Sequence, residues 1–136
     1  MRYIFWQFFE KSLTLYLGSE LSVFGVFDGH GGNQVAEWIR DNFAKELFKF
    51  KSYADGDYGK ALTETFCKMD ELLKTPMVKK ELEKYTVGSG DEGGMGGMGT
   101  LSMMQDQDIA KSVGCTACVC IITSKEVICA NAGDSR

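Results

Sequence analysis

Apolar and polar positions change period several times along the chain. In residues 21–27, Leu21, Val23 and Phe27 fall on one side of an extended backbone, and Phe24 and Val26 on the other. Apart from Ser22 both sides are apolar, which is the pattern of a strand covered on two faces. The run stops at Asp28, and a turn containing Gly29, Gly31 and Gly32 follows. Asn33 then suits a helix N-cap. Ala36, Ile39, Phe43, Leu47 and Phe50 recur at helical spacing, opposite Glu37, Asp41, Lys45 and Lys49. This predicts an amphipathic helix ending near Lys51. A loop is expected at 53–57, then a second helix with Leu62, Phe66, Met69 and Leu73 on one face. Thr75 followed by Pro76 reads as an N-cap with proline at the first helical position, opening a shorter helix through 77–85.

The two ends of the chain read differently. Residues 3–17 have a mixed pattern that predicts no single element, with a strongly apolar and aromatic run at 3–9. Gly18-Ser19 is a turn. Between Gly88 and Gly99 there are seven glycines in twelve residues, a flexible low-complexity loop. It lacks the Lys-Ser/Thr ending of a phosphate-binding P-loop. After it, a strand opens at Gly114 and runs through Ile122, turns at 124–126, and returns through 127–132. Both faces of its first arm are small or apolar, again the pattern of a layer inside a sandwich. The chain then reads Gly133-Asp134-Ser135-Arg136.

Composition narrows the class. At 136 residues, 44% hydrophobic and 25% charged, the chain suits one soluble globular domain with a real core. A net charge of −4 with scattered lysines argues against a nucleic-acid partner. Four of the five cysteines (Cys115, Cys118, Cys120 and Cys129) lie in strand-like sequence without a secretory pattern, and read as buried, reduced thiols of an intracellular protein, cytoplasmic or nuclear. Cys115-x-x-Cys118 has the spacing of half a zinc site, but no second Cys pair follows and the one His belongs to another motif, which argues against zinc. A calcium loop beginning at Asp55 would place Lys60 where glycine is required and Phe66 where glutamate is required. The apolar run near the N-terminus is interrupted by Glu10 and Lys11 and is too short to span a bilayer. A segment packing on the core or on a partner is preferred there over a membrane-surface anchor formed by residues 1–17.

The candidate chemistry lies where the first strand stops. Asp28 can offer carboxylate oxygens to a hard cation, and the Gly29 carbonyl can offer another. Gly31 and Gly32 carry no side chains, so a bulky substrate can approach, and the following helix N-terminus favours an anion such as phosphate. His30, the only histidine, can pass a proton near neutral pH. Together these suggest metal-assisted phosphoryl hydrolysis. The plainer reading is a turn in which Asp28 caps the helix and His30 is simply exposed. These residues alone leave both open. Gly133-Asp134 repeats the arrangement, an acid delivered at a strand end.

Phe-Gly-Val-Phe-Asp-Gly-His-Gly-Gly at 24–32 resembles the signature of the metal-dependent serine/threonine protein phosphatases of type 2C. Gly114-Cys115-Thr116-Ala117, followed by 130–136 ending in Gly-Asp-Ser-Arg, is similar to that family's strand pair. The resemblance covers roughly residues 21–136. It implies an α+β fold, a layered α-β-β-α sandwich of two antiparallel sheets with helices outside, incomplete in this chain. It implies that Asp28 bridges two Mg²⁺ or Mn²⁺ ions, that Gly29 gives its carbonyl to one of them, and that Asp134 sits near a weaker metal position. A water or hydroxide between the metals would attack phosphorus, and His30 would protonate the departing oxygen. The family's upstream arginine and Glu-Asp pair have no counterpart before the signature, and its later metal-binding aspartates would lie beyond Arg136. The expectation is therefore a partial phosphatase domain over 18–136, with 1–17 an atypical apolar segment. It would act as a monomer on phosphorylated protein substrates. The alternative is a catalytically silent, phosphatase-like binding module.

Overall fold

A computed structural model of the chain describes residues 2–8, 11–17, 21–86 and 112–135, the first two segments as backbone only. Five strands form one antiparallel sheet in chain order: β1 Arg2–Phe8, β2 Lys11–Leu17, β3 Leu21–His30, β4 Gly114–Thr123 and β5 Val127–Ala132. The N-terminal run that predicted no single element is thus two strands, the second of which pairs with the signature strand (Lys11 opposite Asp28, Leu17 opposite Ser22). The glycine-rich segment 88–99 and the turn at Gly18-Ser19 lie outside the described residues.

Four helices lie between β3 and β4 in the chain: α1 Gln34–Leu47, α2 Lys51–Ala54, α3 Tyr58–Leu73 and α4 Pro76–Thr86. Three match the expected amphipathic segments. The short α2 replaces part of the expected loop, and its four residues are too few to show a helical period. Asn33 precedes α1 as expected, but its side chain makes no capping hydrogen bond, because its backbone is already helical (φ −96°, ψ −12°). Thr75 behaves as read: its hydroxyl accepts from the Val78 amide at 3.3 Å. Asp57 caps α3 in the same way, accepting from the Lys60 amide at 3.2 Å.

The helices cover one face of the sheet. Val23 and Phe27 of β3 and Ala117, Val119 and Ile121 of β4 point into the core, where they meet Ile39, Phe43 and Leu47 of α1, Leu62 and Met69 of α3, and Val78 and Leu82 of α4. Rings link the layers: Phe27 to Phe43 at 5.6 Å between centroids, and Phe43 to Phe66 at 5.5 Å. Polar contacts fix α4 on α1. The Trp38 indole donates to Glu81 at 2.9 Å and the Tyr85 hydroxyl donates to Asp41 at 3.1 Å.

The alternate face of the strands is left open by the described residues. Val26 is 37% exposed and Ile122 is 40% exposed, beside a half-buried Phe24. The described residues form an α+β structure with one sheet, and a second sheet is not among them. One correction concerns the thiols. Cys120 and Cys129 stand opposite each other in the β4–β5 register and are joined by a disulfide. Cys115 and Cys118 are free and, three residues apart on a strand, face opposite sides of it. No helix among the described residues is long and apolar enough to cross a membrane.

Candidate active site

The site forms at one end of the sheet, where β3 finishes and β4 begins. The pairing sets Asp28 opposite Thr116, Gly29 opposite Cys115 and His30 opposite Gly114. β5 runs back alongside β4, so that its continuation Gly133-Asp134-Ser135 arrives at the same end. One open cleft of about 570 Å³ is lined by Asp28, Gly29, His30, Cys115, Thr116 and Gly133-Asp134. All four residues singled out from the sequence (Asp28, Gly29, His30 and Asp134) therefore line one space, although Asp134 lies more than a hundred residues from Asp28 in the chain.

Two hydroxyls complete the arrangement. Thr116 Oγ1 donates to Ser135 Oγ at 2.7 Å, and Ser135 Oγ donates to Asp28 Oδ2 at 3.4 Å. This relay ties the Gly-Asp-Ser segment to the signature carboxylate and leaves Asp28 half-buried rather than swinging freely in water. Sequence reading missed Thr116 and Ser135 as site residues, because only the strand register shows that Thr116 faces Asp28. The serine directly after Asp134 was the one available signal.

His30 is exposed at the cleft mouth, and its position depends on its cross-strand neighbour. A Cβ on Gly114 would fall 2.6 Å from His30 Nε2, so glycine there lets the imidazole rest against the strand end, and a side chain would push the ring aside. Gly31 has φ +72°, a conformation that turns the chain from β3 into α1.

Cys115 lies behind the cleft. Its thiol is pushed up from the ordinary 9.0 to about 12, first by burial, then by Asp70 and Asp28 nearby. Tyr85 rises from 10.0 to about 12 through burial and the neighbouring Asp41. Both groups hold their protons more tightly in the folded chain than in the unfolded one. Their contribution to stability is complete below the ordinary values and is lost as pH rises toward 12. The urea midpoint should therefore fall between about pH 9 and 12, and in Cys115→Ala the fall should begin nearer pH 10, where only Tyr85 remains. A midpoint unchanged through this range would refute the assignment.

The oxygen donors lining the cleft suit a hard divalent cation in kind: two carboxylates, the Gly29 carbonyl and the Thr116 hydroxyl. They are few. Among the described residues no three His, Cys, Asp or Glu side chains converge tightly enough to hold a metal ion. The cleft therefore presents part of a metal site.

A family model described as protein phosphatase 2C matches residues 11–136, from the start of β2 onward. The chain is 43% identical to protein phosphatase 2C 1 of Paramecium tetraurelia over 117 residues, which is 86% of this chain and 33% of that protein. It is 42% identical to probable protein phosphatase 2C 2 of the same organism, with the same coverage. A rice relative, probable protein phosphatase 2C 11 of Oryza sativa subsp. japonica, is 34% identical over 142 residues, covering 92% of this chain and 39% of the relative. The chain thus spans about a third of the length of the curated relatives it matches.

Proposed function

The chain belongs to the protein phosphatase 2C family, and on that premise we propose that it serves metal-dependent hydrolysis of phosphoserine and phosphothreonine in proteins. The observation that carries this reading is the meeting of Asp28, His30 and Asp134 in one cleft at the end of the sheet. Asp28, the Gly29 carbonyl and, more weakly, Asp134 would hold Mg²⁺ or Mn²⁺, two ions for a full site. Bound there, the cations would supply positive charge against the phosphate oxygens and water activation. His30 stands at the mouth, where it would give its proton to the serine or threonine oxygen as the P–O bond breaks. Ser135 and Thr116 hold the Asp28 carboxylate in place through their hydroxyl relay. The open apolar face around Val26 and Ile122 supports the wider proposal that a second sheet completes a sandwich there.

Phosphate release from p-nitrophenyl phosphate or a phosphopeptide, with and without Mn²⁺ or Mg²⁺, tests the proposal. Asp28→Asn should lower metal-dependent turnover by more than ~100-fold, since it removes a charged first ligand. Equal rates for the two proteins would sink it.

A second reading, a phosphatase-like binding module without turnover, draws support from the short donor set among the described residues. It expects a folded chain that binds phosphoproteins and releases no phosphate. Calorimetry showing tight uptake of two Mn²⁺ per chain would count against it.

A further inference from the structure

His30 borders a second cleft as well as the first. This one, of about 330 Å³, lies on the helix-covered side of the strand end, between β3–β4 and the helices α1 and α3. Its floor is apolar, made by Val35 and Ile39 of α1 with Leu73 of α3 and Val113 ahead of β4. Asp70 and Lys74, both exposed, stand on its rim and cancel in net charge. The two clefts share His30 and Cys115. They differ in the side chains they present: the first has Asp28, Asp134 and Thr116, the second four aliphatic residues beside one acid and one lysine.

We propose that the second cleft is the subsite for an aliphatic side chain next to the phosphorylated residue of a peptide substrate, which crosses the strand end over His30. This rests on the phosphatase reading above. If His30 protonates the departing serine or threonine oxygen, that oxygen sits at the imidazole, and the residue's Cα lies two bonds beyond it. The neighbouring peptide residue is then within a few ångströms of the border between the clefts, since consecutive Cα atoms are ~3.8 Å apart. The phosphate occupies the polar cleft, so the chain must leave across the other. What it meets there is the floor of Ile39, Leu73 and Val113, which rewards burial of an aliphatic group. The absence of a side chain at Gly114 keeps the crossing open: a Cβ there would touch the ring at 2.6 Å. The opposed charges of Asp70 and Lys74 give no preference for an acidic or a basic neighbour, so selection is by shape and apolar area.

The test uses the full chain with Mn²⁺ and a pair of peptides carrying a hydrolysis-resistant difluoromethylene phosphonate in place of phosphoserine, with Leu or Gly flanking it. The leucine peptide should bind about tenfold more tightly, the amount expected for partial burial of one leucine side chain. Its binding should shift the NMR methyl signals of Ile39, Leu73 and Val113, which the glycine peptide leaves in place. Leu73→Ser should erase the difference while retaining binding of the glycine peptide. The comparison of peptides on the unaltered chain stands even if that variant folds poorly. Equal affinity for both peptides, or shifts confined to the polar cleft, would overturn the subsite alone. Binding of neither peptide would overturn the phosphatase reading and the subsite with it.

Discussion

Replacing His30 with alanine should lower turnover of a phosphoserine peptide by about 10²–10⁴-fold, the usual worth of a positioned general acid. The same variant should lose far less with p-nitrophenyl phosphate. A serine alkoxide is a strong base and cannot leave without a proton, whereas nitrophenolate departs readily unprotonated. The difference between the two substrates therefore isolates the proton transfer from any general disturbance of the cleft. His30 is exposed at the end of β3 and packs on Gly114 rather than in the core, so its removal should leave the unfolding free energy from urea within ~0.5 kcal/mol of the parent. Equal losses with both substrates would assign His30 to phosphate binding or to structure, and would remove it from the role of acid.

That Asp28 and His30 stand at one end of the sheet was legible in the amino-acid pattern alone, because residues two apart on a strand share a face and the run of apolar residues ends at the first of them. Asp134 was legible as a second acid at a strand end, but its arrival beside Asp28 depends on β4 lying between β3 and β5. Strand order is a long-range choice that local pattern does not encode. The same holds for Thr116 and Ser135, which become site residues only through the register. The helices α1, α3 and α4 were legible because each carries an apolar stripe, and because Thr75-Pro76 marks a start that the structure bears out. β1 was not, since a nearly continuous apolar run carries neither period clearly, whereas in β2 the alternation of Leu13, Leu15 and Leu17 with Ser12, Thr14 and Tyr16 was a strand signal that went unused. Of the two apolar faces of β3 and β4, the described residues cover one. Apolar residues on both faces of a strand describe what could be buried, and here one face alone meets helices while Val26 and Ile122 face outward. The disulfide between Cys120 and Cys129 was missed, because reading all four strand cysteines as reduced thiols passed over the turn at 124–126 that sets these two opposite each other.

The turn that carries the site from strand to helix should tolerate a side chain poorly, and two glycines measure why. Gly31 and Gly56 have similar backbone angles, φ +72° and +82°. In either place an alanine would adopt a conformation costing L residues about 1–2 kcal/mol. Their surroundings differ. A Cβ at Gly56 meets nothing within 4 Å, whereas at Gly31 it would lie 2.2 Å from the backbone carbonyl oxygen of Ser112. Backbone cannot swing aside as a flexible side chain does, so relief requires moving the entry to β4 away from the end of β3. Overpacking of this kind costs a further ~1–3 kcal/mol. Gly31→Ala should therefore lose about 2–5 kcal/mol, a large share of the ~5–15 kcal/mol that holds a domain of this size together. Gly56→Ala should lose only the first part. Gly59→Ala, exposed in the first turn of α3 with open space around it, should gain about 0.4–1 kcal/mol by restricting the unfolded chain. Urea unfolding of the three variants gives the order directly. If Gly31→Ala and Gly56→Ala agree within ~0.5 kcal/mol, the contact with Ser112 carries no energy. The strand end would then be free to move, and with it the close packing that sets His30 against Gly114.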